Sequence, residues 1–171
     1  LPEAWTVLGG FTASAFSREI LANFAEVDVI IRGDAEQPLL KLVQRLLQEG
    51  SRAGRRLNLS DIPNLSYREG GNIVENALAY CATTADLDVL NFVDVDFLEH
   101  HEQYGVHEYI VTDLERARRA LEVNPFRGRW LCTARGCRYE CSYCGGCRSA
   151  HETLAGRKGI VTRTPARVVD D

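Results

Sequence analysis

The sequence predicts an α/β fold of the doubly wound kind. Two observations carry that expectation. Short apolar runs at 6–8 and 27–31 each end in a glycine turn, and each is followed by a helical stretch with little connecting chain. Thr6-Val7-Leu8 leads into Gly9-Gly10, a strand followed by a turn. Ser14 or Ser17 caps a helix through Arg18–Phe24. Val27-Asp28-Val29-Ile30-Ile31 is continuous enough in apolar character for a buried strand, and it stops at Arg32-Gly33-Asp34. A second helix is expected from Glu36 to Glu49. Its apolar stripe is Leu39, Leu40, Val43, Leu46 and Leu47, with Pro38 in the first turn and Gly50 as the stop.

The style changes after Gly50. Ser51–Arg56 is polar and basic, the composition of a solubilising surface loop. Leu65–Arg68, then Glu69–Asn72, then Ile73–Glu75 reads as a β-hairpin. From Asn76 to about Glu108 the chain is acidic, with Asp86, Asp88, Asp94 and Asp96 as surface or capping groups. This stretch is expected to be a connector wrapped over a domain surface. His100, His101 and His107 lie in it without an i, i+4 pair, so a solvated face is the simpler reading than a metal site. Asp113 caps a helix over Leu114–Glu122, ended by Asn124-Pro125, and Arg129–Thr133 reads as a strand. Thr164 and Pro165 open a last helix.

The 171 residues carry a net charge of −4, 45% hydrophobic residues and 26% charged ones, which is the composition of a folded globular chain. The negative balance argues against a nucleic-acid or anionic-membrane partner. No apolar run approaches the roughly 18–20 residues of a membrane span. The chain contains no methionine and opens in the approach to a strand, so it is expected to be an internal piece of a longer protein. No Ser-His-Asp arrangement, phosphate-binding loop or dinucleotide fingerprint stands out, and no residue is assigned a catalytic role.

Of six cysteines, four fall between residues 137 and 147, with Cys132 just upstream and Cys81 alone. Such clustering, without a secretory signal, favours a metal centre in a reducing, cytoplasmic compartment over disulfides. Cys137, Cys141 and Cys144 have the spacing C-x3-C-x2-C. Three thiolates of one loop converge on one inorganic cluster, and three ligands for a four-iron cluster leave one iron open. Structural zinc sites usually pair two separated C-x2-C knuckles. Bacterial ferredoxins run C-x2-C-x2-C-x3-C-P. Neither pattern is met, although a zinc or electron-transfer cluster module held by all four loop cysteines stays open as an alternative.

Cys137-Arg138-Tyr139-Glu140-Cys141-Ser142-Tyr143-Cys144 resembles the C-x3-C-x-aromatic-C signature of the radical S-adenosylmethionine enzymes. The preceding Thr133-Ala134-Arg135-Gly136 and the later Arg163–Asp170 are similar to segments that flank that signature in the family. The resemblance implies that Cys137, Cys141 and Cys144 bind a 4Fe-4S cluster. The open iron would chelate S-adenosylmethionine, whose sulfonium is then cleaved by one electron, with Tyr143 packed near the cofactor. Cys147 lies outside the triplet. It is a bystander, a fourth ligand in resting protein, or part of a subgroup motif.

Val7–Ser14 and Val27–Glu36 together resemble the last third of a cobalamin-binding domain, and Asp61–Arg68 resembles the continuation in cobalamin-dependent radical enzymes. This implies Gly9 and Gly10 against the cobalamin nucleotide tail, with Gly33 and Glu36 nearby; the plain alternative is glycines that only turn the chain. The expected organisation is residues 1–56 as the C-terminal part of a doubly wound, Rossmann-like cobalamin-binding domain, and 57–128 as a connector with a β-hairpin. Residues 129–171 would be the first strand and cluster loop of a truncated (β/α) radical S-adenosylmethionine barrel. The implied cofactors are a 4Fe-4S cluster, S-adenosylmethionine and cobalamin. The implied partners are a small-molecule or peptide substrate and a reductant such as flavodoxin or ferredoxin. With only residues 145–171 after Cys144, this piece is not expected to turn over alone. A cobalamin-based sensor or carrier is the remaining rival.

Overall fold

The computed structural model describes residues 4–49, 57–92, 94, 99 and 131–171. The expected helix at 114–122, the basic loop at 51–56, Asp96 and His100, His101 and His107 lie outside these residues.

A mixed sheet in the order β1-β2-β3-β4 organises the first part of the chain. Strand β1 (Val7–Leu8) runs parallel to β2 (Val29–Ile31). Strand β3 (Leu65–Glu69) is antiparallel to β2 and forms a hairpin with β4 (Asn72–Glu75). Gly70 and Gly71 both take positive φ, 56° and 84°, as a tight hairpin turn of matching twist requires. Between β1 and β2 lie α1 (Gly10–Ala15) and α2 (Ser17–Asn23); α3 (Glu36–Glu49) follows β2.

Helices cover both faces of the sheet. Ile30 packs with Ala13, Leu21 and Val27 on the α1–α2 side. Val29 and Ile31 pack on the other side with Leu42, Leu59, Ile62, Leu65 and Tyr67. Strand β2 is therefore buried on both faces, which is why it reads as an unbroken apolar run. The Arg68 guanidinium caps the end of α2 and the turn beyond it, donating to the carbonyl oxygens of Leu21 at 2.5 Å and Ala25 at 3.0 Å.

Helix α3 has the expected limits, but its packing face is not the expected one. Pro38 and Leu42 are buried and Leu46 half-buried, whereas Leu39, Leu40, Val43 and Leu47 are exposed. The helix is apolar on two adjacent faces, so periodicity alone does not choose between them. The choice is made by the ring of β2, Leu59 and Ile62, which receives Leu42.

Asn64, just before β3, holds the chain that follows the hairpin from a left-handed backbone conformation, φ 66°. Its buried amide donates to Asp34 O at 3.3 Å and Tyr80 O at 2.8 Å, and accepts from the backbone N–H of Ala79 and Tyr80. The acidic connector then forms a helix that sequence reading missed, α4 (Thr84–Asp88). Thr83 and Asp86 make a reciprocal capping box, and that bonding, with Thr83 as the main donor, holds the Asp86 carboxyl below the ordinary aspartate value.

Strand β5 (Ala134–Arg135) pairs antiparallel with β6 (Val161–Thr162), with α5 (Arg148–Ala155) between them and α6 (Pro165–Asp170) after them. The strand is shorter and later than the expected 129–133, of which 129 and 130 lie outside the described residues. Its position is set by β6, a partner that lies beyond the cysteine loop. Helix α6 begins where Thr164-Pro165 predicts, the Thr164 hydroxyl accepting from Arg167 N–H. Among the described residues no helix is long and apolar enough to cross a membrane.

Candidate functional site

The cysteine loop joins β5 to α5. Gly136 enters it at φ 107°, a conformation that L side chains rarely adopt. Cys137 follows, its Sγ accepting from Tyr139 N–H at 3.4 Å. Consecutive turns then fold the loop: Cys144 N–H donates to Cys141 O at 3.1 Å, and Cys147 N–H to Cys144 O at 3.3 Å. Arg148 N–H reaches back to Tyr139 O at 2.8 Å, and His151 N–H to Cys147 O at 3.0 Å opens α5. The loop is thus pinned at its front edge to the first turn of the helix.

All six thiols are free. Cys144 is exposed, Cys137 and Cys141 are half-buried, and Cys147 is buried. The Cys147 sulfur lies 3.5 Å from Glu140 Oε1 and 3.2 Å from Ser149 Oγ. It is spent on contacts within the loop. Tyr143 is 90% exposed beside Cys144. Among the described residues no group of three or more His, Cys, Asp or Glu side chains is gathered in metal-holding geometry. Thiols as donors suit a thiophilic centre, and Cys137, Cys141 and Cys144 are three thiols outside any disulfide on one short, turn-folded stretch, half-buried or exposed.

The four other nominated residues sit at one end of the main sheet. Gly9 precedes α1 in extended backbone, and a Cβ there would make only an ordinary contact with Ile31 O. Gly10 has φ 88° and open space around it. Ser14 ties this turn to the next: its hydroxyl donates to Gly10 O at 2.8 Å and accepts from Gly33 N–H at 3.0 Å. Gly33 faces the cysteine module. A Cβ on it would come 2.8 Å from Ala155 Cα. Glu36 Oε1 accepts from Arg135 Nη1 at 2.6 Å. Both therefore make contacts within the chain, across the junction to the loop.

That junction is built by residues whose role sequence reasoning did not assign. Asp34 accepts from Arg135 at 3.0 Å and from Arg157, which also donates to Ala82 O at 2.8 Å. Burial works against the Arg135 charge, but Glu36 and Asp34 outweigh it and hold its pKa above the ordinary value. The Phe11 and His151 rings meet edge-to-face, centroids 4.7 Å apart, and the Cys81 thiol donates to Ala155 O at 3.2 Å. Burial, then Asp34, pushes the Cys81 thiol up. Arg163 is buried between Asp171, at 2.7 Å, and the Phe92 ring. Apart from Arg163 and Asp171, eight residues apart, the partners are distant along the sequence, which holds no local signal for their pairing.

No protein-family model matches the chain. The chain is similar to an anaerobic magnesium-protoporphyrin IX monomethyl ester cyclase from Cereibacter sphaeroides. The two are 26% identical over 174 aligned positions, which take in 100% of this chain and 23% of the cyclase. The chain thus spans less than a quarter of that relative. The aligned stretch spans the glycine turns, the junction and the cysteine loop.

Proposed function

We propose that this chain is the cofactor-junction segment of a radical S-adenosylmethionine enzyme, with Cys137, Cys141 and Cys144 as the ligands of a 4Fe-4S cluster. The carrying observation is the split among the four loop cysteines. Cys144 is exposed and Cys137 and Cys141 are half-buried, while Cys147 is buried against Glu140 and Ser149. This supports a three-ligand centre over a four-thiolate zinc clasp or ferredoxin site. Similarity to an anaerobic cyclase over the whole chain supports the same reading. When bound, the cluster would supply an open iron for the S-adenosylmethionine amino and carboxylate groups and the electron for sulfonium cleavage.

The chain's own residues provide the setting. Gly136 and the two cysteine turns fold the loop, Arg148 holds its front edge, and Tyr143 stands beside the ligand set as an aromatic wall for the bound cofactor. Cobalamin is the finer proposal, to be met by Gly9 and Gly10, with Gly33 tied to that turn through Ser14 and Glu36 three residues further on. The parent protein would be cytoplasmic, take a small-molecule or peptide substrate, draw electrons from a flavodoxin or ferredoxin, and bind neither nucleic acid nor membrane.

Anaerobic iron and sulfide reconstitution of the chain tests the reading. The expected result is a 4Fe-4S spectrum whose reduced paramagnetic signal shifts on adding S-adenosylmethionine. Serine at Cys137, Cys141 or Cys144 should abolish iron retention, and serine at Cys147 should leave most of it. Stoichiometric zinc with no iron uptake would overturn the proposal, as would equal loss at all four positions. A titration with hydroxocobalamin that leaves its absorption spectrum unchanged would remove the cobalamin part alone.

A further inference from the structure

We infer that Asp34 is a positioning residue for the cysteine loop: its one buried carboxylate clamps both stems of that loop to the α/β unit. Arg135 closes β5, two residues before Cys137, and Arg157 lies two residues beyond the last residue of α5. Residues 136–156 between them hold all four clustered cysteines. Asp34 Oδ1 receives Arg135 Nη1 at 3.0 Å. Oδ2 receives Arg157 Nη2, and Ala82 N–H at 2.8 Å. The Asp34 side chain is 6% exposed and that of Arg157 5%. Each carboxylate oxygen thus serves one end of the loop, and the backbone of Asp34 is itself held by the Asn64 amide.

The physical consequence lies in how ligands gather. The loop's internal order consists of local turns, one backbone bond from Arg148 to Tyr139 and the side-chain contacts of Glu140 with Arg148 and Cys147. How closely its sulfurs converge depends on the separation of its ends, which the carboxylate helps to set together with the β5–β6 pairing and the contact of Ala155 with Gly33. Fixed ends lower the chain entropy that ligand convergence must overcome. Glu36 gives Arg135 a second acceptor, so the upstream stem has a reserve. The pairing of β5 with β6 holds the base of the module by separate backbone bonds. Loss of the clamp therefore loosens the loop without dissolving the sheets. The effect on a metal rests on the function proposed above; the effect on loop order does not.

The test uses the full chain and Asp34→Asn, which keeps the side chain's shape and removes its charge. Three readouts are taken: Co2+ affinity from the thiolate-to-cobalt absorption band, iodoacetamide labelling rates resolved by peptide, and far-ultraviolet circular dichroism. The expected result is an unchanged dichroism spectrum, Co2+ affinity weaker by about tenfold or more, and faster labelling of the buried Cys147. Arg157→Gln should match Asp34→Asn, and the double variant should be no worse than either. Arg135→Gln, with Glu36 left unpaired, should give a smaller effect in the same direction. If Asp34→Asn does not fold, Arg135→Gln carries the test with the same readouts. A folded variant with wild-type Co2+ affinity and wild-type Cys147 labelling overturns the inference. If wild-type chain takes up no Co2+ while Asp34→Asn still unmasks Cys147, the metal reading falls and the clamp stands.

Discussion

Ala155 closes over Gly33 so tightly that a β-carbon at residue 33 would come 2.8 Å from the Ala155 Cα and 3.1 Å from its Cβ. Gly33 also has φ 69°, in the left-handed region. Two costs therefore meet in Gly33→Ala: the backbone conformation and the overlap with the end of α5. Together they should destabilise the chain by roughly 2–5 kcal/mol. Urea unfolding reads the total. Amide exchange reads its location, which should be residues 148–155 more than β2 or β3. Wild-type stability in the alanine variant would mean that α5 does not dock on this turn.

Asn64 offers a second test of how the junction is held. Its side chain satisfies four polar groups while its backbone stays at φ 66°. Asn64→Ala should cost roughly 2–5 kcal/mol, from orphaned buried groups and from the strain of alanine at positive φ. Asn64→Gly loses the same hydrogen bonds but tolerates the backbone, so it should be milder by about 1–2 kcal/mol. Equal losses in the two variants, measured by urea titration, would count against a strained backbone here.

His151 gives the junction a pH dependence of known sign. Burial, and next the Arg157 charge, hold its pKa below the usual 6.5; Arg135 adds to this and Asp34 opposes it. Phe11 packs on the ring from α1. The fold thus favours neutral imidazole, and the unfolded chain takes up its proton first as pH falls. The contribution to stability is fully present above about pH 6.5 and is lost as pH drops through the lowered folded value. Thermal unfolding from about pH 8 to about pH 5 should show this loss in the wild type and a smaller one in His151→Gln. An unchanged profile in the variant would assign the pH dependence to other groups.

Much of the α/β unit was legible because its signals are local. Helix α3 runs from Glu36 to Glu49 as its composition predicts, with Pro38 in the first turn. The double-sided burial of β2 is written in Val29-Ile30-Ile31, the hairpin in Gly70-Gly71, and the start of α6 in Thr164-Pro165. Each depends on residues within a few positions of one another. The packing face of α3 was not legible, because Leu39, Leu40 and Val43 compete with Leu42 and only the neighbouring sheet separates them. Helix α4 was hidden in an acidic stretch whose carboxylates read as surface or capping groups; Asp86 does cap, with Thr83, but no apolar period marked the helix.

At the candidate site the division is sharper. The cysteine spacing and the glycine pairs are sequence properties, and they were sufficient to name the chemistry to be tested. That Cys147 turns inward while Cys144 faces solvent is a property of the fold. So is the meeting of the two motifs, carried by Asp34 with Arg135 and Arg157 across separations of 101 and 123 residues. Propensity, periodicity and turn chemistry act between near neighbours and fix elements. Which carboxylate meets which guanidinium is decided only when those elements pack, because charges brought together inside the fold must be paired where water is excluded.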